Sequence, residues 1–203
     1  MSNANQLTRI EAFSDGVFAI AATLLVLEIR VPSIGIHSAP GELWRGLADL
    51  WPSYVAFVIS FGSILTIWVN HHRELDQLTG TSNAFKYANG LLLLTVTFLP
   101  FPTALLARYI QTDSAPAAVV FFAAIGIVTS LAFGVWFLSM QKPIRLLRPE
   151  FGRNQIRKIW LQMVVGGSGY LLAAIIGWWL PMVGLGVLVA LSVLWIVMSI
   201  EQR

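Results

Sequence analysis

The fold is decided by an apolar run near the N-terminus, residues 9–29, which read RIEAFSDGVFAIAATLLVLEI. Thr8, followed three residues later by Glu11, has the pattern of a capping box, which predicts that a helix begins there. Pro32 disfavours continuation, so the helix is expected to end near Arg30. About 23 residues at 1.5 Å each would span roughly 34 Å, enough to cross the hydrocarbon core of a bilayer.

Five further apolar runs have the length of membrane helices. The chain has 203 residues, of which 57% are hydrophobic and 11% charged, whereas soluble domains carry about 25% charged residues. A membrane helix needs roughly 18–20 apolar residues, and the runs that meet this length are residues 9–30, 50–72, 84–107, 116–140, 157–178 and 182–200. We therefore predict an all-α integral membrane protein with six transmembrane helices in a single domain, residues 1–203.

Lysine and arginine residues predict the orientation of these spans. If the N-terminus is inside, ten of the 13 basic residues fall in inner segments and three in outer ones. By the positive-inside rule, both termini are then cytoplasmic. The basic loop at residues 142–158 lies on the inner side, where anionic lipid headgroups are a plausible partner.

The sequence argues against several classes of function. The chain has no cysteine, so thiolate metal sites and cysteine nucleophiles are excluded. No nucleophile elbow, phosphate loop or paired carboxylates suggest an enzyme, and no basic-aromatic pattern outside the membrane suggests nucleic-acid binding. We expect neither enzymatic activity nor a cofactor.

Helical geometry divides the first span into two faces. At about 100° per residue, one stripe holds residues at steps of three and four: Phe13, Gly16, Ile20, Thr23, Leu24 and Leu27. Asp15 lies about 140° from Ile20. An acid at the hydrocarbon boundary is costly unless it is paired or faces water, so we predict that Asp15 is tied into the protein. The stripe would face lipid, another helix or a pore, and ordinary helix packing is its simplest explanation.

Polar residues on three predicted helices lie at one depth near the inner side. They are Arg9, Ser14, Asp15, His71, His72 and Asn89. We predict that they form a hydrogen-bond network that holds the first helix in place. Adjacent histidines point about 100° apart, and no carboxylate stands nearby at ligand spacing, so the sequence predicts no metal site. A proton relay through Asp15 is the alternative.

Three other segments carry structural predictions. Pro100 and Pro102 predict a kink in the third span. Residues 166–170, GGSGY, are similar to the potassium-filter sequence TVGYG, but they lie within a continuous apolar run rather than in a pore loop. We predict that they allow close helix packing. Residues 42–50 are expected to form a short amphipathic helix at the membrane surface.

The run Arg9-x-x-x-Phe13-Ser14-Asp15, followed by GVFAIAATLLVL, closely resembles the first-helix signature of the transmembrane protein 175 family. These are endosomal and lysosomal potassium channels and their prokaryotic relatives. The resemblance implies a homotetramer in which four first helices line a central pore without a TVGYG filter. It also implies apolar constricting rings at Ile20, Leu24 and Leu27, and a hydroxyl layer at Thr23 that aids cation selection.

The same resemblance gives the FSD motif, Phe13-Ser14-Asp15, a structural role, with histidine and asparagine partners on the next two helices. Together these observations predict a potassium-permeable channel in a bacterial inner membrane, with potassium as the permeant ion and no cofactor. Its expected partners are copies of itself and membrane lipids, and not nucleic acid. A proton-coupled transporter using Asp15 and a histidine, or a non-conducting membrane subunit, are the alternatives.

Overall fold

The computed structural model describes residues 3–33, 35, 39–141 and 146–201. Residues 142–145, which include two basic residues of the predicted inner loop, lie outside this part of the chain, as does Arg203. The described ranges contain eight α-helices: α1 (Asn3–Leu24), α2 (Pro40–Asp49), α3 (Trp51–Leu75), α4 (Asn83–Phe98), α5 (Pro100–Tyr109), α6 (Ala115–Ser139), α7 (Arg153–Trp179) and α8 (Pro181–Glu201).

Six helical stretches are long and apolar enough to cross a membrane. Within the described residues they are Asn5–Glu28, Trp51–Leu75, Asn83–Tyr109, Ala115–Ser139, Arg153–Trp179 and Pro181–Ser199. The third of these combines α4 and α5. Each stretch coincides with a predicted span, with its ends shifted by a few residues, so the prediction of a six-helix membrane protein is confirmed.

The first span begins earlier than its sequence signal indicates. Since α1 starts at Asn3, Thr8 and Glu11 lie inside the helix, and the capping-box prediction is wrong. The additional turn is supported by tertiary contacts that a local pattern does not encode: Gln6 Oε1 accepts hydrogen bonds from Thr81 Oγ1 at 3.0 Å and Lys86 Nζ at 3.4 Å. At its other end, α1 passes into one 3-10 turn, Leu25–Glu28.

The third span is interrupted at Leu99, between α4 and α5. A proline removes a backbone donor and leaves a carbonyl in need of another partner. The hydroxyl of Thr103 donates to the carbonyl of Leu99 at 2.7 Å and lies 2.6 Å from Ser60 Oγ. The break predicted from Pro100 and Pro102 is therefore present, and the Val96 carbonyl, four residues before Pro100, accepts instead from the Leu99 N–H at 3.1 Å.

The GGSGY segment lies inside α7 and packs against neighbouring helices. A Cβ added at Gly166 would lie 2.3 Å from the Trp195 side chain, and one at Gly169 would lie 2.5 Å from Leu191. Only glycine permits these approaches to α8. This segment therefore acts as a packing surface, as the sequence predicts.

The ends of several helices meet on one side of the molecule. Leu78, after α3, pairs with Leu147, before α7, in an isolated β-bridge, and the Arg148 N–H donates to the Gln77 carbonyl at 2.8 Å. The N-terminal part of α1 reaches the same side through Gln6 and Thr81. The short helix predicted at residues 42–50 is present as α2, and none of its residues is buried.

Candidate pore helix and its polar anchor

One face of α1 is fixed against the rest of the chain. Phe18, Ala21 and Leu25 are buried, with exposed fractions of 3%, 1% and 0%. They pack with residues of α3, α4 and the α4–α5 junction: Ile64, Leu93, Val96 and Leu99. Steps of three and four place Phe18 and Ala21 of α1 and Leu25, the first residue of the following 3-10 turn, on one side, so that side is committed to packing.

The other face of α1, continued by the 3-10 turn Leu25–Glu28, is uncovered in the single chain. The exposed fractions of its apolar stripe are 64% for Phe13, 60% for Ile20, 43% for Leu24 and 69% for Leu27. Thr23 is exposed within the same stripe. Burying one such side chain is worth about 1.5–3 kcal/mol relative to water, so this face requires lipid or a protein partner.

Thr23 presents its hydroxyl oxygen in a defined way. Its Oγ1 lies 2.9 Å from the Ala19 carbonyl and 3.0 Å from the Ile20 carbonyl, and it donates to this pair on its own helix. A hydroxyl has one proton and two acceptor lone pairs. The exposed oxygen is therefore available as an acceptor and is suited to a cation.

A buried network joins α1 to α3 and α4. The Asn89 Nδ2 group donates to Ser14 Oγ at 3.0 Å, and His71 Nε2 lies 2.7 Å from Asn89 Oδ1. All three residues are at most 3% exposed. Since the amide oxygen can only accept, the His71 proton on Nε2 is the donor. The structure thus brings Ser14, His71 and Asn89 together and assigns the contact to His71 rather than His72.

Aromatic rings fix the orientation of His71. Its imidazole stacks on Trp136, with centroids 4.6 Å apart and planes 16° apart, and it meets Phe18 edge-on at 5.3 Å. Trp136 is fully buried and belongs to α6. The network is therefore held by four helices, and moving α1 would disturb all of them.

Asp15 has a partner that the sequence analysis missed. The Trp68 indole Nε1 donates to Asp15 Oδ1 at 2.8 Å, so this carboxylate is tied to α3 rather than to Asn89. In the sequence, Trp68 has the position of an ordinary interfacial aromatic residue, because tryptophan is common near a membrane boundary. Only the relative rotation of the two helices reveals the contact.

His72 faces a second carboxylate on α1. Its Nδ1 lies 3.3 Å from Glu11 Oε1, and ligand atoms of Glu11, Asp15 and His72 all lie within 4.8 Å of one another. Spacing along a single helix predicts no metal site at the histidines, whereas these three groups come from two helices.

Two residues predicted for the network are exposed on α1. Phe13 is 64% exposed, because it lies about 100° from Ser14 around the helix, and it belongs to the apolar stripe. Arg9 also lies on the exposed surface of α1.

A separate cavity of about 100 Å³ lies between α3, α6, α7 and α8. Asn70, Glu74 and Gln162 contribute polar groups to its lining, and α1 contributes none among the described residues. It is therefore distinct from the exposed stripe of α1.

Six membrane-length helices and a first helix with one anchored and one uncovered face define a multi-pass membrane protein. A family model described as the endosomal/lysosomal potassium channel TMEM175 matches residues 9–100. A protein of Chamaesiphon minutus named as a potassium channel is 48% identical over 165 residues, which cover 81% of each chain. A Streptomyces collinus protein, also named as a potassium channel, is 38% identical over 167 residues, covering 82% of this chain and 80% of the other.

The fold is similar to that of a solved relative. A crystal structure described as a lysosomal potassium-selective channel TMEM175 homologue from Chamaesiphon minutus superposes with a TM-score of 0.85 and 41% identity, covering 96% of this chain and 98% of that one. The chain belongs to the TMEM175 family.

Proposed function

We propose that this protein is a potassium-permeable cation channel, not an enzyme, in which four copies surround a central pore lined by α1. The observation that carries the proposal is the division of α1 into a buried face and an exposed apolar stripe running from Phe13 to Leu27. The names of its relatives as potassium channels support the permeant ion. No cofactor is required for passive conduction.

The stripe supplies the parts of a gate. In a tetramer, Ile20, Leu24 and Leu27 would each form a ring of four bulky apolar side chains. A narrow apolar ring expels water and thereby blocks hydrated ions, and modest widening or rotation restores the water column. Thr23 would add four hydroxyl oxygens that replace part of the hydration shell of a passing cation, which supports a role in selection.

We further propose that the chain forms one channel domain in a bacterial inner membrane, with both termini in the cytoplasm. The excess of lysine and arginine in the inner segments supports this orientation. The same side of the molecule holds the N-terminal part of α1, the α3–α4 connection and residues 146–148. This arrangement is expected when successive helices cross the membrane in alternating directions. Lipids would cover the outward-facing side chains.

The decisive experiment is the current carried by purified protein in planar bilayers under a potassium/sodium gradient. We expect a reversal potential displaced towards that of potassium. Leu24→Ala and Leu27→Ala should raise conductance several-fold, because each removes four large side chains from the proposed constriction. Leu171→Ala is the matched control: this leucine of α7 is 51% exposed and should leave conductance unchanged.

If folded, oligomeric protein carries no current across the bilayer, the proposed channel function is refuted. Equal effects of Leu27→Ala and Leu171→Ala would refute the pore assignment of α1. Asp15→Asn separates the channel from the proton-coupled transporter, since passive flux persists in a folded channel variant, whereas a transporter that needs this carboxylate loses its flux.

A further inference from the structure

Three potential metal ligands converge at the inner end of α1. Glu11 and Asp15 stand four residues apart, one turn of the same helix, and His72 reaches them from α3. Their ligand atoms lie within 4.8 Å of one another, and His72 Nδ1 lies 3.3 Å from Glu11 Oε1. Two carboxylates and one imidazole from two helices thus meet at one point.

The separations fit a small cation between these groups. Zinc binds nitrogen and oxygen ligands at about 2.0–2.2 Å with tetrahedral geometry, which places ligand atoms roughly 3.4 Å apart. The Glu11–His72 pair is already at 3.3 Å. Asp15 offers a further carboxylate oxygen within 4.8 Å of both groups.

The chemistry of these groups also suits a cation. Nδ1 of His72 is a buried atom 3.3 Å from Glu11 Oε1 that makes no hydrogen bond within the described part of the chain, so this nitrogen is available as a ligand. The two carboxylates balance the charge of a dication.

Trp68 organises this cluster from one side. Its indole N–H donates to Asp15 Oδ1 at 2.8 Å, and its ring lies 5.9 Å from that of His72, with the planes 31° apart. Groups that orient ligands in this way commonly change metal affinity by about 10–100-fold. The ligands are thus held close together before any ion arrives.

We propose that Glu11, Asp15 and His72 form a binding site for a divalent transition-metal ion of the zinc and cobalt class, which ties α1 to α3 when bound. One imidazole nitrogen with two carboxylate oxygens suits these metals, whereas calcium and magnesium prefer oxygen ligands alone. Because α1 carries the exposed stripe, the bound ion would restrain the helix that carries the gate. This effect on the gate rests on the proposed channel function, whereas metal binding itself does not.

The binding test uses Co²⁺, whose visible absorption reports its coordination, on the purified full-length protein treated first with a chelator. We expect a saturable absorption band that Zn²⁺ abolishes by displacement and excess Mg²⁺ does not. His72→Gln and Glu11→Gln should each weaken Co²⁺ binding by at least about tenfold. Size-exclusion elution and thermal midpoints establish that each variant is folded.

Matched controls come from residues outside the cluster. Glu42→Gln removes an exposed acid of α2, and Asp76→Asn removes an exposed acid four residues after His72. Both variants should bind Co²⁺ as the wild type does. Absence of binding, or equal binding by wild type, His72→Gln and Glu11→Gln, would overturn the site.

Regulation is tested by potassium flux into liposomes, with each variant normalised to its own metal-free rate. Zn²⁺ on the inner side should reduce wild-type flux and leave His72→Gln flux at its metal-free rate, and a chelator should reverse the inhibition. Equal inhibition of both proteins would overturn the restraint of α1. Protein that binds Co²⁺ without conducting potassium would refute the channel while supporting the site.

Discussion

Helices α1 and α7 are similarly uncovered in the single chain, but only α7 carries a segment that is similar to a potassium filter. The most apolar stretch of α1 is 22% buried and that of α7 is 17% buried, so exposure alone does not single out the pore helix. The GGSGY segment of α7 is similar to a potassium filter, yet two of its glycines, Gly166 and Gly169, pack against side chains of α8. The exposed stripe of α1 is almost wholly apolar.

The two helices differ most in how they are held. Polar side chains tie the N-terminal half of α1 to α3 and α4 through hydrogen bonds of 2.8 Å and 3.0 Å, whereas α7 packs through glycine contacts along its length. A polar anchor at one end fixes the rotation of α1 and leaves the remainder of its exposed face for another role. The way in which a helix is fixed is therefore a better guide to the proposed pore helix than similarity to a filter sequence.

The largest stability effect should come from the anchor. Asn89→Ala leaves the buried partners Ser14 and His71 without their shared amide, and each unsatisfied group costs about 1–3 kcal/mol. We expect a loss of roughly 2–5 kcal/mol, measured as a lower thermal midpoint of the purified oligomer. Thr97→Ala, on the exposed side of α4, is the control. Similar midpoints for the two variants would show that the anchor is dispensable.

A smaller effect should come from the glycine packing of α7. Gly166→Ala would place a methyl group 2.3 Å from the Trp195 ring, and overpacking of this kind costs about 1–3 kcal/mol. Gly167→Ala meets nothing within 4 Å and should be neutral or stabilise the helix by up to about 1 kcal/mol. If Gly166→Ala proves as stable as Gly167→Ala under thermal unfolding, the packing role of GGSGY is wrong.

The smallest effect should be on selectivity at Thr23. Thr23→Val keeps the shape of the side chain but removes the acceptor oxygen, so the potassium preference should fall by about tenfold or less, equivalent to about 1.4 kcal/mol. Thr23→Ser keeps the oxygen and should retain most of the preference. Reversal potentials under a potassium/sodium gradient measure both variants. A full preference in Thr23→Val would assign selection to another group.

Much of α1 follows from periodicity. The steps of three and four that place Ile20, Leu24 and Leu27 on one side are visible in the sequence, and the cost of burying Asp15 already indicates a tie to the protein. The identity of its partner, Trp68, does not follow. A local pattern gives the direction of a side chain relative to its own helix and contains no information on the rotation of the next one.

The sequence by itself determined the six membrane spans, the proline break and the apolar stripe, because hydropathy and helical period are properties of single segments. The tertiary structure alone decided that His71 rather than His72 joins Ser14 and Asn89. It also brought Glu11 and Asp15 to His72. These contacts depend on how α1 and α3 cross and rotate, which packing of the whole bundle sets, and a shift of one residue would direct each side chain about 100° away.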